Sequence, residues 1–425
     1  MKLVDKKLNA VQLNGLIVGP ILGSGIILLP PIIFEVAGDY AILSWITIML
    51  INWFFAFLFG SLSVKFPGNS GVTQAVEDVF GKYIKYLTSF FLIGAVCFGP
   101  IAVLMTAAQF IHFDGFLSTK WIAFLLMGIT ILILLLNVSF IGKIAFVLSS
   151  VSALLLFSGG LTSLIQYPKT ELFTTSFDIS SFGYSLLLLF WTIVGWEVIG
   201  NYSNDVKNVR STIPKAVGFS ALIISIVCLM VAASIQWSDI PNISGASQIT
   251  VASILTPIFG SLTGLIIGFI APGLCLSSII LFIGGTARLI RGMAEEGILP
   301  KKLSYRTKTN VPLGGIIALS CFHIFVFVLA FLDLINITQI VAIADVFFIS
   351  NVFVTLLAAI KLFDQKIVKM MIVMMLFVLF VFLSFSSPII LVFIAIFTII
   401  FIYKQIKFNA SQSCEDNEEN LLMVK

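Results

Sequence analysis

The residues best suited by type and spacing to bind a ligand are Gly23, Ser24 and Gly25, in the middle of an apolar segment at residues 11–34. Glycine allows a helix to be interrupted, because it adopts positive φ angles and permits close approach of other groups. A second half-helix that starts near Ile26 would present free backbone N–H groups at the positive end of its dipole. Hydrocarbon tolerates such an interruption only where it faces protein or a polar cavity. The stretch therefore predicts an anion site in the middle of a membrane.

A simpler interpretation is that glycine and serine let two membrane helices pack closely. The chain contains a second interruption, however, since Gly195 lies mid-span in "LLLLFWTIVGWEVIGNYSNDVKN", two positions before Glu197. Paired interruptions in the two halves of a chain are typical of the binding site of a secondary transporter. The second interruption therefore favours a binding site over simple packing.

Glu197 and Asp345 are the two acidic residues within the predicted membrane core. A carboxylate is costly in hydrocarbon, so each is a candidate for a functional role such as proton uptake. The alternative for Glu197 is a carboxyl group that only ties its helix to neighbouring helices. For Asp345 three roles stay open: shaping an outer gate, attracting a cationic side chain, or facing a water-filled vestibule.

Membrane-spanning helices are needed to position these residues. Hydrophobic residues make up 59% of the 425-residue chain and charged residues only 10%, whereas a soluble domain is about 25% charged. Apolar runs of about 17 to 25 residues, each long enough to cross the hydrocarbon core as a helix, recur along the chain. We predict an all-α integral membrane protein with twelve spans, at residues 11–34, 40–63, 83–111, 121–137, 142–166, 181–203, 214–236, 259–289, 312–331, 337–360, 367–385 and 387–404.

The positions of the 24 Lys and Arg residues orient these spans, because cytoplasmic loops retain positive charge. With the N-terminus inside, only Lys120 and Lys169 lie outside. This asymmetry predicts a multi-pass protein of the plasma membrane with both termini in the cytoplasm. The net charge of +4 reflects the orientation in the lipid bilayer, and nothing indicates a nucleic-acid partner. The oligomeric state stays open.

Five stretches resemble the amino acid-polyamine-organocation superfamily of secondary transporters, in the order in which that family has them. The residues from Gly23 to Ile26 match its G-[ST]-G-I motif. The others are "KFPGNSGVTQAVEDVFG", in which Ser70 replaces the first of the family's paired glycines, "FWTIVGWE", "NDVKNVRSTIPKA" and "ARLIRGMAEEGILPKKL". Within the family, "FWTIVGWE" and the "VAG" at Val36–Gly38 are most similar to bacterial exporters of methionine and branched-chain amino acids.

The resemblance implies a five-plus-five inverted repeat with broken helices 1 and 6, plus two C-terminal helices. On this chain, residues 1–166 would form the first repeat and residues 181–361 the second. Residues 367–404 would form the two added helices, and residues 405–425 a cytoplasmic tail.

The resemblance also implies which residues bind and gate. The predicted substrate-binding residues are Gly23, Ser24, Gly25, Ile26, Trp191, Thr192 and Val194. The first break would supply N–H groups to a substrate carboxylate, and the second would supply carbonyl oxygens to an ammonium group. Trp191 matches an aromatic gate in some relatives, although it could equally be ordinary apolar packing. Glu197 matches a position associated with proton sensing. Gating or proton coupling is assigned to Trp191, Glu197 and Asp345.

No catalytic residue, metal site or cofactor is predicted, and coupling to H⁺ or to Na⁺ stays open. The candidate oxygen ligands for sodium are Ser149, Ser150, Ser277 and Ser278, unless carbonyl groups one turn back satisfy them. We expect His323 to pack or hydrogen-bond away from the site, although histidine can relay protons.

The sequence thus predicts a secondary active transporter that moves small neutral amino acids, of the methionine and branched-chain type, by alternating access as an exporter or exchanger. The alternative is a permease of the same fold for cationic or other amino acids or amines. An intramembrane enzyme is disfavoured, because no compact set of nucleophile, base or metal ligands is evident. A channel is disfavoured by the paired breaks, which favour an occluded site over a continuous pore.

Overall fold

A computed structural model describes residues 7–111, 118–171, 174, 176–240, 250–384 and 388–423. These residues form α-helices and short 3₁₀ segments, and the only β pairing among them is two isolated bridges. The helices are α1 (Ala10–Leu22), α2 (Gly25–Ala37), α3 (Ala41–Lys65), α4 (Thr73–Phe80), α5 (Lys82–Gln109), α6 (Thr119–Leu134), α7 (Val138–Gln166), α8 (Ile179–Leu189), α9 (Val209–Trp237), α10 (Thr256–Phe259), α11 (Thr263–Glu295), α12 (Leu313–Phe331), α13 (Ile337–Leu362), α14 (Lys366–Ser384) and α15 (Pro388–Met423).

Each predicted span has a helical counterpart. Among the described residues, ten helical stretches are long and apolar enough to cross a membrane, and the first of them, Ala10–Lys65, contains predicted spans one and two. The shorter apolar helix Thr119–Leu134 corresponds to span four. The all-α membrane class is therefore confirmed. The last helix differs from expectation because it continues through the predicted tail to Met423, a stretch without the proline or glycine that would end a helix.

Both predicted interruptions are present. In the first, α1 ends at Leu22, Gly23 has a φ angle of +31°, and α2 begins at Gly25. The Gly23 N–H still donates to the Gly19 carbonyl at 2.7 Å, so the helical pattern stops only after this residue.

The second interruption is longer. After α8, residues Phe190–Ile193 form a 3₁₀ turn, Val194 is extended, and Gly195 has a φ angle of +126°. A second 3₁₀ segment, Trp196–Asp205, then continues the span. An L-residue with a side chain rarely adopts the Gly195 conformation, so glycine makes this break possible.

Other helices enclose the broken spans. Helix α1 packs against α7, α9 and α11, and α2 packs against α8 and α9. By contrast, α14 and α15 expose much apolar surface, including Phe377 and Ile389. The irregular backbone is therefore surrounded by protein, which is the condition for tolerating it inside a membrane.

Candidate functional site

The two helix breaks touch each other. A Cβ atom added to Gly25 would lie only 2.8 Å from Cγ2 of Thr192, so this glycine lets the second break approach the first. The indole N–H of Trp191 also donates to the hydroxyl oxygen of Ser24 at 3.2 Å. The sequence-predicted residues of the two breaks are thus brought together.

Backbone groups at this junction are unpaired. Within the described part of the chain, no protein acceptor binds the N–H groups of Ser24, Gly25 or Ile26. The carbonyl oxygens of Trp191, Thr192 and Val194 likewise receive no protein hydrogen bond among the described residues. Because unpaired backbone groups are costly in a buried setting, the junction has donors and acceptors available for a ligand.

A narrow pocket adjoins the junction. Its walls come from both breaks and from α5, α11 and α13, and the residues that line it are Pro20, Ile21, Ser24, Gly25, Gly99, Pro100, Val103, Trp191, Val194, Ser278, Ile279, Phe282 and Phe348. None of these residues has an ionisable side chain. The pocket can therefore bind a polar ligand through backbone groups and an apolar part of that ligand through its walls.

A broad vestibule opens on the other side of Trp191. Ser24, Val103 and Trp191 line both the pocket and the vestibule, so Trp191 stands between the two spaces. The far walls of the vestibule come from Leu28 and Leu29 in the first half of α2, from α8 and from α13. Trp191 is in a position to separate a bound ligand from the vestibule.

Asp345 lies in the vestibule rather than in the pocket. Among the described lining residues it is the only one with a charged side chain, and it forms no ion pair or hydrogen bond within the described part of the chain. A carboxylate without a protein partner, in a mostly apolar space, is suited to attract a cation.

Glu197 lies behind the second break and does not line the pocket. It is 1% exposed, and one carboxyl oxygen, Oε2, accepts the N–H of Gly195 at 3.0 Å. The other oxygen, Oε1, has no hydrogen-bond partner among the described residues. Glu197 thus binds the glycine at which the helix is broken.

The serine and histidine candidates separate into two groups. Ser149 and Ser277 both lie against Gly19, and the Ser277 hydroxyl has no partner in the described part of the chain. The Ser278 hydroxyl lies 3.1 Å from the carbonyl oxygen of Pro20. His323 is buried away from both spaces, with Nε2 2.8 Å from the Val96 carbonyl oxygen.

The end of the bundle opposite the vestibule is sealed by direct contacts. The Leu8 N–H donates to the Asp205 carbonyl at 2.7 Å, and the Lys207 N–H donates to the Leu8 carbonyl at 2.9 Å. The buried Arg288 side chain donates from Nε to the Asp205 carboxylate and lies 4.3 Å from the ring centre of Tyr202. We call this set of contacts the closed end.

Sequence reasoning missed most of the pocket walls and the closed end. The walls Phe282 and Phe348 lie on uninterrupted spans, so no local signal distinguishes them from other aromatic residues. The Gly99–Pro100 pair in the middle of predicted span three was a usable signal, because both residues line the pocket. The ion pair of Arg288 and Asp205 joins residues far apart in the chain and has no counterpart in local spacing.

Comparison with known proteins agrees with this geometry. A model of the amino acid permease family matches residues 8–412. The chain belongs to this family. The permease is 24% identical to the L-methionine/branched-chain amino acid exporter YjeH of Escherichia coli (strain K12), over 85% of this chain and 88% of the relative. It is 22% identical to the uncharacterized amino acid permease YecA of Bacillus subtilis (strain 168), over 85% of this chain and 87% of the relative.

A further relative is the putrescine transporter PotE of Escherichia coli (strain K12), which is 23% identical over 74% of both chains. Membership of this family makes the protein a multi-pass membrane transporter of amino acids or amines rather than an enzyme.

Proposed function

We propose that the permease is a secondary transporter of small neutral amino acids, of the methionine and branched-chain type, which it exports or exchanges by alternating access. The observation that carries this proposal is the contact of the two helix breaks at Gly25 and Thr192. The first break offers N–H groups at the start of α2, where a carboxylate is favoured. The second offers carbonyl oxygens, which accept hydrogen bonds from an ammonium group. The pair matches the two charges of an amino-acid zwitterion.

The walls of the pocket support a neutral side chain. Phe282, Phe348 and Val103 present apolar surface, and the described lining contains no ionisable group that could pair with a charged side chain. Apolar walls with a few well-placed polar groups are typical of small-molecule sites. The similarity to a methionine and branched-chain amino acid exporter supports the same substrate class.

Alternating access is supported by the contrast between the two ends of the bundle. The vestibule reaches Trp191, whereas contacts of Leu8, Asp205 and Arg288 seal the closed end. With both termini in the cytoplasm of a plasma-membrane protein, as the charge asymmetry predicts, the closed end is cytoplasmic. The structure then corresponds to an outward-facing state, and Trp191 closes over the substrate before the closed end opens.

A second candidate function is transport of cationic amino acids or amines. The unpaired carboxylate of Asp345 in the vestibule favours it, because no other described residue that lines the vestibule or the pocket offers a negative charge to an ammonium group. The similarity to a putrescine transporter adds to this candidate. We place it second because Asp345 lies outside the pocket walls.

Two coupling ions fit different parts of the structure. Glu197 can take up a proton and thereby change its contact with Gly195. Alternatively, the Ser277 hydroxyl, which lies beside Gly19 and has no partner among the described residues, supplies an oxygen of the kind that a sodium ion prefers. The Ser149 hydroxyl donates to the Phe146 carbonyl at 3.3 Å, one turn back on the same helix. We propose proton coupling through Glu197, because this residue acts directly on a helix break.

Counterflow in proteoliposomes tests the proposal. Vesicles are preloaded with methionine, leucine, lysine, putrescine or glutamate, and the entry of labelled methionine is followed with a pH gradient, with a sodium gradient, and without either. We expect methionine and leucine to accelerate entry, and the pH gradient to change the rate. Acceleration by lysine or putrescine alone would favour the second candidate. If none accelerates entry into vesicles with folded protein, the proposed substrate class is wrong.

A further inference from the structure

Two clefts lie on the outer side of the helix bundle, away from the pocket and the vestibule. The first runs between α3 and α9, and its lining includes Trp53, Phe57, Gly60, Val64, Lys65 and Gly218. The second lies between α1, α7 and α9, and its lining includes Val11, Trp53, Phe146, Lys215, Gly218 and Phe219. Because Trp53, Pro214 and Gly218 line both, the two clefts join along one edge of α9.

Small residues create this space. A Cβ atom added to Gly218 would meet no heavy atom within 4 Å, so the position faces open space. Gly60 lets α3 approach α9, since a Cβ atom there would lie 3.2 Å from Cγ1 of Val217. A large side chain at position 218 would therefore fill the junction of the clefts without disturbing the helix contact at Gly60.

The first cleft has the length of one membrane leaflet. Its lining runs along α3 from Trp53 to Val64, a rise of about 16 Å at 1.5 Å per residue. This is about half the 30 Å thickness of the hydrocarbon core. An acyl chain from one leaflet can therefore lie along the whole cleft.

The surfaces of the clefts are apolar because their polar groups bond inward. Nε1 of Trp53 donates to the Ser225 hydroxyl at 3.1 Å, and Nδ2 of Asn14 donates to the Ser220 hydroxyl at 2.8 Å. Trp53 nevertheless remains 41% exposed and Phe219 59% exposed. These exposed rings offer acyl chains a contact surface.

Positive charge lies at one end of both clefts. Lys65 lines the first and Lys215 the second, both are exposed, and no carboxylate lines either cleft in the described part of the chain. Neither lysine forms an ion pair with a described residue. They lie near the end of α3 and the start of α9, at the level where a leaflet has its headgroups. Basic residues at this level attract anionic lipids.

We infer that the joined clefts bind one anionic diacyl phospholipid. One acyl chain lies in each cleft, the chains separate at Pro214 and Gly218, and the phosphate group lies between Lys65 and Lys215. Two observations support this assignment: two apolar clefts match two acyl chains, and two exposed lysines without an ion pair among the described residues match one anionic headgroup.

Quenching of tryptophan fluorescence by brominated lipids tests it on the full-length protein. The protein is placed in nanodiscs of dioleoyl phosphatidylcholine that contain brominated phosphatidylglycerol or, at an equal mole fraction, brominated phosphatidylcholine. The contribution of Trp53 is obtained by comparison with Trp53→Phe. We expect brominated phosphatidylglycerol to quench the fluorescence of Trp53 about twofold more than brominated phosphatidylcholine does, because only phosphatidylglycerol bears a net negative charge.

Three variants define the site. Gly218→Leu fills the junction and should remove most of the Trp53 quenching by either lipid. The double variant Lys65→Gln/Lys215→Gln changes only exposed side chains. In this variant the two brominated lipids should quench Trp53 equally. Its matched control, Lys366→Gln/Lys369→Gln at the start of α14, should keep the preference for phosphatidylglycerol. Equal quenching by both lipids in the unmodified protein would overturn the anionic assignment, and quenching that does not depend on Trp53 would overturn the site itself.

Discussion

The indole nitrogen of Trp191 lies 3.2 Å from the hydroxyl oxygen of Ser24, and this hydrogen bond joins the two broken helices directly. It places a large ring between the pocket and the vestibule, both of which Trp191 lines. One residue therefore holds the breaks together and closes one route to the space beside them.

Removing the Trp191 ring should impair closure of the pocket. For Trp191→Ala, we expect the KM for methionine counterflow to rise more than tenfold, because both the ring contacts and the hydrogen bond are lost. Trp191→Phe keeps a ring and loses only the bond, worth about 0.5–1.5 kcal/mol, so its KM should rise about two- to tenfold. If both variants have the same kinetics as the unmodified protein, Trp191 contributes only ordinary apolar packing.

The close approach of Gly25 to Thr192 can be tested by a pair of substitutions. Gly25→Ala places a Cβ atom 2.8 Å from Cγ2 of Thr192, so we expect methionine affinity in purified protein to fall about tenfold or more. Thr192→Ser deletes Cγ2 but keeps the hydroxyl that donates to the Leu189 carbonyl. The double variant should therefore regain much of the affinity.

Gly128→Ala is the matched control for this pair, because a Cβ atom at position 128 meets nothing within 4 Å. It should bind methionine like the unmodified protein. Unchanged affinity in Gly25→Ala would show that the contact of the two breaks does not shape the site.

Glu197 should set the pH dependence of transport. Glu197→Gln can still accept the N–H of Gly195 but cannot ionise, so we expect the rate of methionine counterflow to become nearly independent of pH between about 5 and 8. Glu171→Gln, an exposed substitution outside the spans, is the control and should keep the original profile. An identical profile in Glu197→Gln would leave this carboxyl group with a structural role only.

The helix breaks were predictable because their cause is local. Gly23 and Gly195 are glycines inside apolar segments, and glycine is the residue that most readily adopts the positive φ angle found at both breaks. The start of α2 was expected near Ile26 and is found at Gly25, a difference of one residue. The aromatic walls Phe282 and Phe348 were not predictable, because their role depends on how distant spans pack and not on their own neighbours.

Asp345 should distinguish the two candidate substrate classes. We expect the unmodified protein to bind methionine more tightly than lysine, and Asp345→Asn to weaken any lysine or putrescine binding about tenfold or more. The reason is the loss of a charge-assisted contact, worth about 1.5–3 kcal/mol. Asp364→Asn removes a charge from the exposed loop after α13 and should not change the binding of methionine or of lysine. If Asp345→Asn binds lysine as tightly as the unmodified protein does, Asp345 is not the partner of the cation.

The stability of the closed end should depend on the ion pair of Arg288 and Asp205. The side chains of these residues are 6% and 11% exposed. Arg288→Met leaves the Asp205 carboxylate buried without its partner, which typically costs about 3–5 kcal/mol of stability. We therefore expect a clearly lower melting temperature in detergent. The double variant Arg288→Met/Asp205→Asn removes the unpaired charge as well, so it should recover part of the loss. If the double variant melts below Arg288→Met, the Asp205 side chain has an important partner besides Arg288, and the ion pair is not what seals this end.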